Sequence, residues 1–229
     1  MVKNILFDLD DTLLDFTASE RHALALTLEA FGIAPEKEIL DAYHEINRQQ
    51  WERLERGELT KKQVKLSRYR ILLDKFDIKK PSAGEISASY ESKLCESCYV
   101  IDYAKQLLES LYGDFSLYLV SNGGKRVQQA RVKGSKIGKY FNGIFISEEI
   151  GFNKPDERFF INAFKDVPDF KREESVILGD SLTSDILGGK NFGIKTVWFN
   201  RTGTENRKGI FPDYEIFSLK EFEELVYKI

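Results

Sequence analysis

Short apolar runs, each cut off by a polar turn, set the rhythm of this chain. Lys3–Phe7 stops at Asp8-Leu9-Asp10-Asp11-Thr12, and Phe115–Val120 stops at Ser121-Asn122-Gly123-Gly124. Gly143–Ile146 ends in Ser147, Ser175–Leu178 in Gly179-Asp180, and Ile194–Phe199 in Asn200. Runs of this length, rich in β-branched and aromatic residues, read as buried strands. Helical patterns fill the intervals, over 124–134, 156–166 and 182–191. Strand alternating with helix predicts a doubly wound, Rossmann-like α/β fold whose parallel sheet is covered on both faces.

Residues 16–98 break the rhythm. Thr17-Ala18-Ser19-Glu20 has the form of a helix-opening capping box, Leu24, Leu28 and Phe31 then repeat on one face, and Gly32 suits the end of that helix. A second helix is predicted over 36–56, broken by Gly57; a third opens at Thr60-Lys61-Lys62-Gln63, and a fourth covers 83–96. A strand-free stretch of this length between the first and second strands predicts an inserted helical cap domain, 16–98. The core is then 1–15 with 99–229.

The 229 residues suffice for one or two domains. With 34 basic against 37 acidic residues spread along the chain, no basic block points to nucleic acid. No apolar run approaches the ~18 residues of a membrane span, and the opening segment lacks the form of a signal peptide. The expectation is a cytoplasmic protein, a monomer or small homo-oligomer. Cys95 and Cys98 stand in Cys-x-x-Cys spacing, but at the end of a helical stretch, and His22 and His44 offer no paired zinc ligands. They read as structural cysteines.

In a parallel α/β sheet all strands end at one edge. Residues distant in sequence thus become neighbours: Asp8 and Asp10, Ser121 and Asn122, and Asp180 with Asp185 just beyond. Clustered carboxylates repel one another unless a cation neutralises them, and hard oxygen donors suit Mg²⁺. Lys154, in Asn153-Lys154-Pro155 before a predicted helix, supplies the complementary charge for a phosphate or for an ionised nucleophile. Pro155 fits the first turn of that helix. Ser121-Asn122-Gly123-Gly124 offers a hydroxyl and backbone N–H groups at a helix N-terminus.

Phe7-Asp8-Leu9-Asp10-Asp11-Thr12-Leu13 resembles the first motif of the haloacid dehalogenase superfamily. Ser121-Asn122-Gly123 resembles the second, Lys154-Pro155 the third, and Gly179-Asp180-Ser181 through Asp185 the fourth. The resemblance implies a phosphate-monoester hydrolase in which Asp8 attacks phosphorus to give an aspartyl-phosphate and Asp10 acts as acid and then base. It implies Mg²⁺ held by Asp8, the Asp10 carbonyl and Asp180, with Asp185 outside the first ring of ligands. Ser121, the Asn122 N–H and Lys154 are implied to grip the phosphoryl oxygens, while Thr12 supports the loop. Dehalogenases need no acid two residues after the nucleophile, so Asp10 favours phosphate esters.

Gln50-Trp51, Ile146–Gly151, Asp185–Gly189 and Thr196–Asn200 are similar to the YjjG-type pyrimidine 5′-nucleotidases. A nucleoside monophosphate is the implied substrate. Alternatives are a phosphosugar, as for the N-acylneuraminate 9-phosphatase type, a phosphomutase reaction, or a non-catalytic binding role. Substrate choice is expected of the cap, where Trp51, Arg53, Arg56 and Arg68 are either contacts or merely cap core and solvated charge.

Overall fold

The computed structural model describes residues 1–229. Strand β1 (Asn4–Phe7) is followed by helices α1 (Phe16–Ala30), α2 (Lys37–Glu55), α3 (Lys61–Lys75) and α4 (Ala83–Glu96). Then come α5 (Ala104–Leu111), β2 (Ser116–Ser121), α6 (Lys125–Ser135) and β3 (Gly143–Ile146). After β3 lie α7 (Ser147–Ile150), α8 (Glu157–Phe164), β4 (Ser175–Gly179) and a π-helical turn, Leu182–Ile186. That turn runs into α9 (Leu187–Phe192), and β5 (Lys195–Phe199), β6 (Tyr214–Ile216) and α10 (Leu219–Val226) close the chain. No helix is long and apolar enough to cross a membrane.

The chain separates into two compact units, Met1–Asp15 with Val100–Ile229, and Phe16–Tyr99. In the first, six strands pair in the order β3-β2-β1-β4-β5-β6, all parallel. β1 lies between β2 and β4, with Phe7 level with Leu119 and Leu178. Alternation along each strand then builds two cores. Ile5, Phe7, Leu117, Leu119, Val176 and Leu178 face Leu107, Leu108 and Phe222 from α5 and α10. Leu6, Tyr118, Val120 and Ile177 face the aromatic layer of Phe159, Phe160, Phe164 and Phe192. The expected doubly wound α/β fold is thus present. The pattern of runs did not reveal α5, β6 or α10, which are short and complete the first of these cores.

In the second unit α2 packs on α1 and α3, and α4 on α1 and α3. The expected capping box at Thr17 is absent, because α1 already begins at Phe16. Glu20 is instead buried and accepts from Asn47 at 2.6 Å, with His44 at 2.7 Å. Capping boxes do open α3, between Thr60 and Gln63, and α4, between Ser82 and Glu85. Arg68 is buried among the rings of Tyr43, Tyr69 and Tyr90, its carbon Cζ 4.9 Å from the Tyr69 centroid. It donates to Asn47 at 2.8 Å and so belongs to the core of this unit. Arg53 and Arg56 pair with Glu58 at the α2–α3 turn, and Trp51 is half-buried. Cys95 and Cys98 form no disulfide.

Close approach of α9 to the sheet depends on Gly189. A Cβ there would fall 2.6 Å from Ile177 Cγ2 and 2.7 Å from Thr196 Cγ2, both held in central strands. Gly189→Ala should therefore lower unfolding stability by about 1–3 kcal/mol, read as a shift in denaturation midpoint at constant slope. An unchanged midpoint would show that α9 can move outward without loss.

Candidate active site

Asp8 directly follows β1, and its N–H continues the ladder to the Leu178 carbonyl at 2.9 Å. The central strand therefore delivers it to the sheet's C-terminal edge, where it is buried. Lys154 reaches the same point from the loop before α8. Its ammonium, 1% exposed, donates to Asp8 Oδ1 at 2.7 Å, Asp185 Oδ1 at 2.6 Å and the Val120 carbonyl at 2.8 Å. All three protons are thus committed, and a phosphate contact would require one to be released. Pro155 lies one residue before the α8 N-cap, Asp156, not in the first turn as expected. Asn122 braces this loop: its side chain donates to the Lys154 carbonyl at 2.9 Å and accepts from the Lys154 N–H at 2.8 Å.

Asp185 sits in the π-helical turn after β4, its Oδ2 accepting from the Ser181 N–H at 3.1 Å. Irregular turns of this kind recur where side chains must be aimed at a site. Gly179 makes the room, since a Cβ there would lie 2.3 Å from the Asp185 carboxylate. Asp180, half-buried, has its carbonyl held by the Trp198 indole N–H at 2.8 Å. One carboxylate oxygen each from Asp8, Asp180 and Asp185 lie within 4.8 Å of one another.

Asp10 is different. Its side chain is turned to α6, where Arg131 donates to Oδ1 and Gln128 to Oδ2, the latter at 2.6 Å. It stands apart from the three-acid cluster, so a share in holding a metal would fall to its backbone carbonyl. Ser121 Oγ accepts from the Gly123 N–H at 3.1 Å and from Gln128 at 2.8 Å. With both lone pairs engaged, its proton is left to donate. Gln128, Arg131 and Trp198 carried no expected role; in sequence, a Gln and an Arg three apart look like a solvated helix face. Arg201 closes the periphery, donating to Asp15 at 2.9 Å with Asp11 3.7 Å away.

The electrostatics follow from three acids facing one buried base. Burial raises the Asp8 carboxyl, Lys154 pulls against it, and Asp185 and Asp10 add to the rise, which carries it up to about 8. Burial also raises Asp180 well above the ordinary carboxylate value, with Asp11, Asp185 and Asp8 adding and Lys154 opposing. Burial pulls the Lys154 ammonium down, but Asp185 and Asp8 outweigh it and hold the group above the usual lysine range. The cluster has more negative charge than its lysine can balance, and its donors are hard oxygens. A small divalent cation such as Mg²⁺ fits that set.

The sequence profile of the haloacid dehalogenase-like hydrolases matches residues 5–199. The HAD-hydrolase YfnB of Bacillus subtilis is 36% identical over 98% of this chain and 95% of its own length. Its crystal structure, bound to magnesium, superposes with a TM-score of 0.93 over 98% of both chains. The pyrimidine 5′-nucleotidase PynA of Streptococcus pneumoniae is 35% identical, over 99% of this chain and 95% of that protein. The pyrimidine 5′-nucleotidase YjjG of Escherichia coli is 29% identical, over 98% and 97% respectively.

Asp8 and Asp180 bind protons more tightly folded than unfolded, where the ordinary value is 3.8. In chelator, stability should accordingly fall as pH rises from about 4 towards 8. Mg²⁺ should offset the loss, raising the thermal midpoint most at the alkaline end, with about 2.7 kcal/mol gained at a hundredfold excess over Kd. Asp180→Asn should be more stable than wild type in chelator and gain less from Mg²⁺. An equal gain in the variant would rule Asp180 out as a ligand.

Proposed function

Because the chain belongs to the haloacid dehalogenase-like hydrolase family, we propose that it is a Mg²⁺-dependent phosphate-monoester hydrolase with Asp8 as nucleophile. Its proposed substrates are nucleoside 5′-monophosphates, pyrimidine ones foremost. The observation that carries the chemistry is the Asp8 carboxylate at the end of the central strand, held by Lys154 beside Asp180 and Asp185. Support for the substrate class comes from the likeness to PynA and YjjG, which spans nearly the whole chain.

Asp8 would attack phosphorus in line, its oxygen forming the new P–O bond as the ester P–O bond breaks. The departing electron pair goes to the leaving oxygen, which takes a proton from Asp10. Water then attacks the aspartyl-phosphate, giving its proton to Asp10, and the Asp8 carboxylate is restored. Lys154 favours the ionised Asp8 against the burial that would protonate it, and fixes one of its oxygens. The Ser121 hydroxyl and the Asn122 backbone N–H are assigned to the non-reacting phosphoryl oxygens. Mg²⁺, held by Asp8, the Asp10 carbonyl and Asp180 with Asp185 outside that first ring, would offset charge on those oxygens.

The test is phosphate release from a panel of nucleoside monophosphates and phosphosugars, with Mg²⁺ and with chelator. Release fastest from pyrimidine monophosphates, lost in chelator and reduced at least ~10⁴-fold in Asp8→Asn, is the expected result. Fastest release from phosphosugars would overturn the substrate class and leave the chemistry standing. No release from any ester would overturn the hydrolase reading.

A further inference from the structure

Arg131 and Gln128 lie one helical turn apart on α6, and their side chains share one face. Both are buried, Arg131 to 0% and Gln128 to 1% exposure. A guanidinium removed from water needs a counter-charge and good hydrogen bonds. Here the carboxylate is that of Asp10, on the loop after β1. Gln128 ties the arrangement together: its amide nitrogen donates to Asp10 Oδ2 and to Ser121 Oγ, and its oxygen accepts from Arg131 at 3.2 Å.

A second observation comes from the turn before α6. A Cβ on Gly123 would fall 2.3 Å from Gln128 Nε2 and 2.5 Å from its Cδ. The glycine after Ser121-Asn122 therefore leaves the space through which Gln128 reaches Asp10. The two loops are coupled by this side chain, and the coupling exists only if position 123 carries no side chain.

We infer that Arg131 and Gln128 are positioning residues that fix the Asp10 carboxylate for proton transfer to and from the leaving group. Each Asp10 oxygen accepts one bond from the clamp and keeps a second lone pair for the travelling proton. The clamp restricts side-chain rotation, the kind of misplacement that costs catalysis heavily when it is lost. This inference rests on the phosphatase reading above, in which Asp10 serves as acid and base.

The leaving group provides the test. An alkoxide needs the proton as the P–O bond breaks, whereas p-nitrophenolate leaves without it. The comparison is kcat/KM for the best alkyl ester of the panel against kcat/KM for p-nitrophenyl phosphate, which isolates the first chemical step. In Arg131→Met and Gln128→Ala the alkyl-to-aryl ratio should fall about tenfold or more, as in Asp10→Asn, with partial recovery in Arg131→Lys. Adding Arg131→Met to Asp10→Asn should lower the ratio no further. A ratio within about twofold of wild type in both single variants would overturn the clamp, since a purely structural loss depresses both esters alike. Gln128→Ala removes no charge from the interior and decides the matter alone if Arg131→Met does not fold. Wild-type inactivity on both esters would instead strike the phosphatase reading.

Discussion

One buried ammonium organises the C-terminal edge of the sheet in this protein. Lys154 spends its three protons on Asp8, Asp185 and the Val120 carbonyl, and so joins β1, β2 and the turn after β4 at a single atom. Removing a charge from water is costly, and here the cost is met by two carboxylates and a backbone oxygen at hydrogen-bond distance. Asp180 adds a third acid within reach of the same cluster. Everything else at the edge serves to aim these groups: the Asn122 brace on the Lys154 backbone, the space left at Gly179, and the indole of Trp198 on the Asp180 carbonyl.

A second buried cation holds the other acid of the loop after β1. Arg131 holds Asp10 as Lys154 holds Asp8, so the two acids of the first loop are anchored to different elements, α6 and the loop before α8. Such a division suits the proposed reaction, in which the two carboxyl groups do different work two residues apart. A shared anchor would force both into one environment; separate anchors give each its own.

Much of the fold was legible because short apolar runs alternating with helical patterns mark a doubly wound sheet, and topology then brings strand ends together. That reasoning brings Asp8, Asp10, Asp180 and Asp185 to one edge; the structure clusters three of them and turns the Asp10 side chain to α6. It was silent on short amphipathic pieces such as α5 and α10, whose few residues resemble loop. It also misread Thr17: a Ser/Thr followed three residues later by Glu is a cap only if a helix starts there, and Phe16 already belongs to α1. Arg131 and Gln128 were invisible for a deeper reason. Nothing in a single helix tells a solvated arginine from one buried against a carboxylate more than a hundred residues away. Arg68 is the same case in the helical unit, hidden until Tyr43, Tyr69 and Tyr90 surround it.

The central claim is that Asp8 itself takes the phosphoryl group. Its most direct test is rapid acid quenching during turnover with Mg²⁺, followed by peptide mass analysis. The account predicts one phosphoryl group on the peptide containing Asp8, labile to hydroxylamine and absent when chelator is present before substrate. A phosphoryl group on another residue, or undiminished turnover by Asp8→Asn, would contradict it.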